Sequence, residues 1–274
     1  MVNEQQKRKA EVFRKLHLPE APLVLFNIWD PGSAKAVAEI GAQAIATSSW
    51  SVANANGFRD GEHTPRGFVI KNLRRIVQAT DLPVTVDLEG GYGDHPDMVA
   101  DTVALAIGSG AIGCNLEDSL PADGSLRDAA YQGARLLRAR EAADSEADGF
   151  FINARCDVFL QSPSSQHDQT MLDEAIRRAH VYTNAGADGF FVPGLVDLDL
   201  IARLVKAIQL PVNVMVDNEN RPLQALVDSG IARISYGPRP FLIAMHALAD
   251  AAQHAVVDRA IQPTPVDYPP SPGE

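Results

Sequence analysis

Eight short apolar runs, separated by longer segments of helical character, constrain the fold of this 274-residue chain more than any other feature. Each run is continuously apolar rather than alternating, which is typical of parallel strands covered on both faces. The runs lie at residues 22–28, 43–47, 83–87, 111–116, 149–153, 189–193, 211–215 and 232–236. Glycine or proline marks boundaries of the helical segments, as at Gly41, Pro96 and Gly186. The pattern predicts an α/β fold of repeated βα units.

Short internal repeats support this interpretation. The repeats are ADGFF at 147–151 and 187–191, and LPV at 82–84 and 210–212. Eight evenly spaced strands without a GxGxxG turn favour a (β/α)8 TIM barrel over an open doubly wound sheet. The length is enough for one such barrel, because these domains run to about 250 residues. We therefore expect one barrel domain over residues 1–260, followed by a proline-rich tail at 261–274.

The charge balance limits the possible partners. The chain has 24 basic and 35 acidic side chains and a net charge of -11, which argues against a nucleic-acid partner. A small anionic substrate stays possible, because a local metal ion or arginine can override the overall field. The two cysteines, Cys114 and Cys156, are expected to be buried packing thiols. Without a long apolar run or a secretory signal, we expect a cytoplasmic protein with no membrane partner.

Acidic residues follow two neighbouring predicted strands, where a barrel of this kind places its functional groups. Asp87 and Glu89 lie in the segment DLEGGYG, and two carboxylates two positions apart on an extended segment point the same way. Glu117, in LED, could complete the same site. Such carboxylates repel each other unless a cation lies between them, and Mg²⁺ prefers carboxylates and water. The sequence predicts a Mg²⁺ site, also compatible with Mn²⁺; the alternative is a solvated acidic loop.

Other strand ends carry candidate substrate ligands. Ser48 and Ser49 follow the second run and could offer backbone N–H groups to an anion, or be ordinary polar loop residues. Arg155 follows the fifth run and is suited to bidentate capture of a carboxylate or phosphonate. Its alternative role is an ion pair with Asp157 or another barrel acid. Asn213, in the seventh run, is either a donor to the ligand or a core residue.

Together these motifs resemble the isocitrate lyase/phosphoenolpyruvate mutase superfamily over about residues 10–250. The segments that carry the resemblance are FNIWDPGSAKAVAEIG, TSSWSVANANGFRDGE, VTVDLEGGYGD, CNLEDS, INARCDVF and GADGFFVPG. The resemblance implies a barrel whose C-terminal helix is exchanged between subunits, giving homodimers or homotetramers. It also implies Mg²⁺ at the strand ends and a small carboxylate substrate.

The resemblance also implies roles for single residues. It implies that Asp87 is the direct metal ligand and that Glu89 and Glu117 act directly or through water. It implies that Asp60, in RDGE, is an acid behind these ligands and that Arg155 clamps the substrate anion. The carboxylate cradle that it implies is the backbone of Ser48, Ser49 and Trp50.

The chain departs from the superfamily pattern where relatives carry their loop catalysts. The loop at 119–133 has no Lys and no Cys, whereas lyases place a catalytic Cys there. Ala122 and Gly124 stand nearest to the Lys and Asn of the mutase and phosphonopyruvate hydrolase branches. Ala46 replaces a Tyr of the lyases, and Pro193 replaces the mutase His. We therefore expect this loop to gate solvent rather than to donate the key proton.

Three functions remain open from the sequence. The first is a Mg²⁺-dependent lyase that cleaves a C–C bond next to an α-oxo or α-hydroxy carboxylate through an enolate, with decarboxylation favoured over retro-aldol cleavage. The second is P–C bond chemistry, as in a phosphonopyruvate hydrolase or phosphoenolpyruvate mutase. The third is a weakly catalytic protein that binds 2-oxo acids.

Overall fold

The computed structural model describes residues 4–147, 149–216 and 222–259. Within them, eight parallel strands form one sheet in the order β1-β8-β7-β6-β5-β4-β3-β2. The strands are β1 Leu23–Leu25, β2 Ile45–Ala46, β3 Val84–Asp87, β4 Gly113–Glu117, β5 Phe151–Arg155, β6 Gly189–Val192, β7 Val212–Met215 and β8 Arg233–Ser235. Each overlaps one predicted run, so the predicted (β/α)8 barrel is confirmed. Strands β4 and β5 extend one and two residues past the predicted ends, which makes Glu117 and Arg155 strand residues.

Helices alternate with the strands and cover the outside of the barrel. They are α1 Glu4–Lys15, α2 Pro31–Glu39, α3 Ser49–Ala55, α4 Arg66–Gln78, α5 Pro96–Gly108, α6 Ala129–Glu146, α7 Gln169–Asn184, α8 Leu198–Ala207, α9 Leu223–Val227 and α10 Arg239–Val256. Short 3₁₀ turns follow β5 at Asp157–Leu160 and Ser164–Gln166. Aspartates begin several helices by accepting backbone N–H groups, as Asp30 does for α2 and Asp168 for α7.

The barrel closes between β1 and β2 through an isolated bridge rather than a full ladder. Ile28 and Thr47 form a parallel bridge just beyond the two strands. Asn27 strengthens the closure, because its amide donates to the Thr47 carbonyl at 2.9 Å and accepts from the backbone N–H groups of Tyr236 and Gly237 at 2.9 Å each. One side chain therefore joins the ends of β1, β2 and β8 at the mouth of the barrel.

The two terminal helices pack very differently. Helix α1 covers the amino end of the barrel, where buried Phe13 makes an edge contact with Phe151. Helix α10 buries only Pro240 and Phe241 and exposes Leu242, Ile243 and Leu248. In the described part of the chain, no helix has the length and apolar character needed to cross a membrane. The expected tail at 261–274 lies outside the described residues.

Candidate active site

A cavity of about 140 Å³, open to solvent, lies at the carboxyl ends of the strands. Six of the predicted site residues line it: Ser48, Ser49, Trp50, Asp60, Asp87 and Arg155. Glu89, Glu117 and Asn213 do not appear in this lining. The register explains the grouping of strand ends, because Asp87 pairs with Asn115 and Glu117 pairs with Arg155 across adjacent strands.

Asp87 is the last residue of β3, and one of its carboxylate oxygens has no partner. Oδ2 accepts the backbone N–H of Ser49 at 3.3 Å, and the Asp87 N–H donates to Thr47 Oγ1 at 2.9 Å. Oδ1 is buried without a hydrogen bond. A buried, unpaired carboxylate oxygen is costly unless a donor or cation satisfies it. This oxygen is therefore available to a ligand in the cavity.

Glu89 is held by the protein itself. Its backbone is left-handed, with φ of 53°, and its Oε2 accepts the N–H groups of Gly61, at 2.7 Å, and Glu62. Its Oε1 accepts the Tyr92 hydroxyl at 2.8 Å. Burial, together with the nearby Asp60 carboxylate, raises the pKa of Glu89 to about 7. Glu89 therefore fastens the loop that carries Asp60 to the end of β3.

The acids at the mouth repel one another. Burial and the facing Asp87 carboxylate raise the pKa of Asp60. Within the described ranges, no three Asp, Glu, His or Cys side chains are grouped to enclose a metal ion by themselves. The predicted site of Asp87, Glu89 and Glu117 stays a prediction: of the three, Asp87 lines the cavity, whereas backbone N–H groups hold Glu89 and Arg155 pairs with Glu117. The unpaired Asp87 oxygen fits Mg²⁺, which takes one or two carboxylates and completes its shell with water.

Arg155 lies between two acids. Its Nη1 donates to Glu117 Oε2 at 2.7 Å, and its Nε donates to Asp157 Oδ1 at 2.6 Å. The structure thus contains the ion pair with Asp157 that the sequence left as the alternative role, and it also places Arg155 in the cavity lining. A guanidinium has five N–H donors, so this pairing leaves N–H groups for a ligand.

A buried network holds these acids in place. Ser119 donates to Asp157 Oδ2 at 2.6 Å, and the Asp157 N–H donates to Asp118 Oδ1 at 2.8 Å. Asp118 is fully buried and accepts from Arg178 at 3.0 Å and from the Tyr182 hydroxyl at 2.7 Å. The network therefore ties the orientation of Arg155 to helix α7.

Of two asparagines on the barrel strands, Asn115 lines the cavity and Asn213 does not. Asn213 accepts the Ser235 hydroxyl at 3.2 Å, while its Nδ2 is buried without a partner inside the barrel. Asn115, which sequence reasoning did not select, lines the cavity instead. Its Oδ1 accepts from Asn153 at 2.9 Å, so its amide N–H groups remain for the cavity. Its place two residues before Glu117 on β4 was the signal that could have identified it.

The loop at 119–133 lies beside the mouth but contributes no side chain to the cavity lining. Its Gly124 carbonyl accepts from Gln161 at 3.0 Å. Both cysteines are fully buried free thiols that pack in the hydrophobic core, as the sequence predicted. Burial raises the pKa of both Cys114 and Cys156, so neither resembles a reactive thiolate.

Comparison with known proteins identifies the family of this chain. The sequence model of the phosphoenolpyruvate phosphomutase family matches residues 13–256. The chain belongs to this family. It therefore lies in the isocitrate lyase/phosphoenolpyruvate mutase superfamily, as the resemblance indicated.

Three relatives illustrate the range of the family. An uncharacterized protein of Mycobacterium tuberculosis H37Rv is 36% identical over 256 residues, 93% of each chain. The 2-methylisocitrate lyase of Escherichia coli K12 is 29% identical over 89% of this chain and 82% of its own. A provisionally named phosphonomutase from Burkholderia cenocepacia J2315 is 52% identical, with a TM-score of 0.89, over 91% of this chain and 99% of its own.

More distant solved structures share the fold. The superfamily includes lyases, oxaloacetate decarboxylases, phosphonopyruvate hydrolase and phosphoenolpyruvate mutase. The phosphonopyruvate hydrolase structure, which contains oxalate and Mg²⁺, is 19% identical, with a TM-score of 0.81. That likeness shows the barrel alone.

Proposed function

We propose that this protein is a Mg²⁺-dependent lyase that cleaves a C–C bond next to an α-oxo or α-hydroxy carboxylate. The observation that carries the proposal is the unpaired, buried oxygen of Asp87, a residue that lines the cavity together with Asp60 and Arg155. In this arrangement Asp87 would hold the metal, with Asp60 beside it in the cavity lining, while Glu89 fixes the loop that carries Asp60. Mg²⁺ at this position supplies Lewis-acid activation of the α-oxo group.

Residues of this chain bind the substrate carboxylate, and water supplies the proton. Arg155 and the backbone N–H groups near Ser49 bind the carboxylate, and Asn115 donates from the barrel wall. In decarboxylation, the electron pair of the broken C–C bond passes to the α-carbonyl oxygen and carbon dioxide leaves. In retro-aldol cleavage of a 4-hydroxy-2-oxo acid, the electron pair takes the same path, and a base, for which Asp60 is the candidate in the lining, takes the hydroxyl proton so that an aldehyde leaves. A proton from water then returns to the carbon, because no side chain of the loop at 119–133 lines the cavity.

C–C chemistry is favoured over P–C chemistry by the available cations. Among the described residues, Arg155 is the one cationic side chain in the lining, and two acids already share it. A phosphonate carries up to two negative charges and calls for several charge-assisted donors. An α-oxo carboxylate needs a single cationic contact beside the metal.

The proposal is tested by pyruvate release from oxaloacetate and from 4-hydroxy-2-oxo acids, with and without Mg²⁺. Carbon dioxide detection separates decarboxylation from retro-aldol cleavage. Asp87→Asn should abolish both turnover and calorimetric Mg²⁺ binding, whereas Asp199→Asn, on the surface of α8 at 77% exposure, should change neither. Unchanged Mg²⁺ affinity in Asp87→Asn would refute the metal assignment. Metal-dependent binding without turnover would favour the weakly catalytic binding protein.

A further inference from the structure

The two halves of the barrel mouth differ in chemistry. The charged side chains of the lining are Asp87 at the end of β3, Arg155 at the end of β5, and Asp60 in the loop between α3 and α4, and Asn115 on β4 lies among them. The opposite half of the lining, which we name the apolar wall, comes from the ends of β6, β7 and β8 and from the 3₁₀ turn after β5. It consists of Leu160, Phe191, Pro193, Met215 and Pro238. A small acid anchored at Asp87 and Arg155 therefore directs its other end at this wall.

The wall is built into the strand ends. Phe191 lies on β6 and is 5% exposed, Pro193 follows β6, and Met215 ends β7. Gly237 has φ of 53°, a left-handed backbone that favours glycine, and a Cβ there would lie 2.5 Å from Met215 Sδ, so the chain passes close over this side chain. Buried Phe191 and the rigid ring of Pro193 therefore fix part of the apolar surface, and Met215 and Leu160 complete it with flexible side chains.

The polar side chains in the apolar half of the lining already have hydrogen-bond partners within the protein. Asn27 bonds to the backbone at three places, and Ser235 donates to Asn213 Oδ1 at 3.2 Å. Within the described ranges, the apolar half of the lining holds no cationic side chain. A second carboxylate at the far end of the ligand would lose its hydration without gaining a charged partner, whereas an alkyl group would gain by burial.

We propose that the substrate of this enzyme is an α-oxo or α-hydroxy acid whose far end is uncharged and apolar, such as a branched alkyl or an aryl group. This inference rests on the proposed function, because it takes the α-oxo carboxylate to be anchored at Asp87 and Arg155. It adds that a substrate with a second carboxylate or a phosphonate at the far end is selected against. Within the lyase proposal, it therefore favours retro-aldol cleavage of a 4-hydroxy-2-oxo acid with an alkyl or aryl end over decarboxylation of oxaloacetate.

Two inert acids of matched shape test the inference. In 5-methyl-2-oxohexanoate an isopropyl group replaces the distal carboxylate of 2-oxoglutarate, and neither acid carries a group that can leave. Calorimetric titration in the presence of Mg²⁺ should give a Kd for the alkyl acid that is lower by about tenfold or more, equivalent to about 1.4 kcal/mol. Pyruvate, which has only the shared half, serves as the reference ligand.

A substitution in the wall should reverse the preference. Leu160 is 45% exposed, so Leu160→Arg adds a cation to the lining without burying it, and it should lower the Kd of 2-oxoglutarate by about fivefold or more. Leu137→Arg, at a position on α6 that is 46% exposed and outside the cavity, should leave both acids unchanged.

The outcomes separate this inference from the proposed function. If pyruvate and 2-oxoglutarate bind with Mg²⁺ and the alkyl acid binds no better than 2-oxoglutarate, the apolar far end is wrong while the lyase proposal stands. If none of the three acids binds with Mg²⁺, both proposals fail. Tighter binding of the alkyl acid, reversed by Leu160→Arg alone, supports the inference.

Discussion

Arg155 has two roles in the structure. It forms ion pairs with Glu117 and Asp157, and it lines the cavity. Arg155→Lys keeps the charge but loses the planar fork that spans both acids. We expect kcat/KM to fall by about tenfold or more, and the free energy of unfolding to fall by about 1–3 kcal/mol, since hydrogen bonds to charged groups are lost. Steady-state kinetics and urea unfolding measure the two effects.

A surface arginine gives the control for this change. Arg203 pairs with Asp199 on α8 at 43% exposure, so Arg203→Lys should alter neither kinetics nor stability. Early unfolding of Arg155→Lys with normal kinetics would assign Arg155 to a purely structural ion pair.

His17 makes the stability of the protein depend on pH. Its ring stacks on Phe151 with centroids 4.3 Å apart, and its Nδ1 bonds to the Phe13 carbonyl at 2.9 Å. Burial, and then the nearby Arg233, lower the pKa of His17 from 6.5 to about 3. The unfolded chain takes up this proton below pH 6.5, and the folded chain does so only near pH 3. The contribution is therefore complete above pH 6.5 and is lost as the pH falls from 6.5 towards 3.

Urea unfolding at a series of pH values tests this dependence. The slope from His17 alone approaches about 1.4 kcal/mol per pH unit below pH 6.5. His17→Phe keeps an aromatic ring and cannot titrate, so its stability should fall less steeply than that of the natural protein. Exposed His254→Gln should follow the natural curve. Parallel curves for His17→Phe and the natural protein would show that the pKa of His17 is the same in the folded and the unfolded chain.

At the scale of elements, helix α7 is attached to the end of β4 by a buried ion pair. Arg178 donates to Asp118, which is fully buried. Arg178→Met leaves that carboxylate without its cation, and removing one partner of a buried pair costs about 3–5 kcal/mol. We expect a loss in the lower part of this range, because Tyr182 and the Asp157 N–H still bond Asp118.

The neighbouring arginine provides a matched control. Arg177 also lies on α7 and pairs with Glu174, but its side chain is 55% exposed. Arg177→Met should lower the free energy of unfolding by less than about 0.5 kcal/mol. Equal effects of the two substitutions in chemical denaturation would contradict a special role for the buried pair.

At the scale of the whole molecule, α10 leaves an apolar surface uncovered. Ile243 is 53% exposed and Leu248 is 62% exposed, and neighbouring apolar side chains extend this surface. Exposed apolar patches of this kind mark interaction surfaces. We expect a dimer or tetramer in which α10 packs against another subunit, as the predicted helix exchange requires.

Light scattering after size-exclusion chromatography measures this association. Leu248→Glu should shift the protein towards the monomer, because burying a carboxylate in an apolar interface is unfavourable. Leu137→Glu, at a comparably exposed site on α6, should leave the mass unchanged. A natural protein that is monomeric at micromolar concentration would rule out the exchanged helix.

The sequence by itself determined the barrel and the position of its functional end. Apolar runs and glycine or proline boundaries are local signals, so they located all eight strands and the strand-end residues Asp87, Glu117 and Arg155. Only the tertiary structure decided which of these side chains have hydrogen-bond partners within the protein and which stay available to a ligand. It turned Glu89 towards a loop backbone, paired Arg155 with two acids and left Asp87 Oδ1 unpaired. It also assembled the apolar wall from distant segments. Hydrogen-bond partners and cavity walls depend on contacts between residues far apart in the chain, and local sequence patterns do not record those contacts.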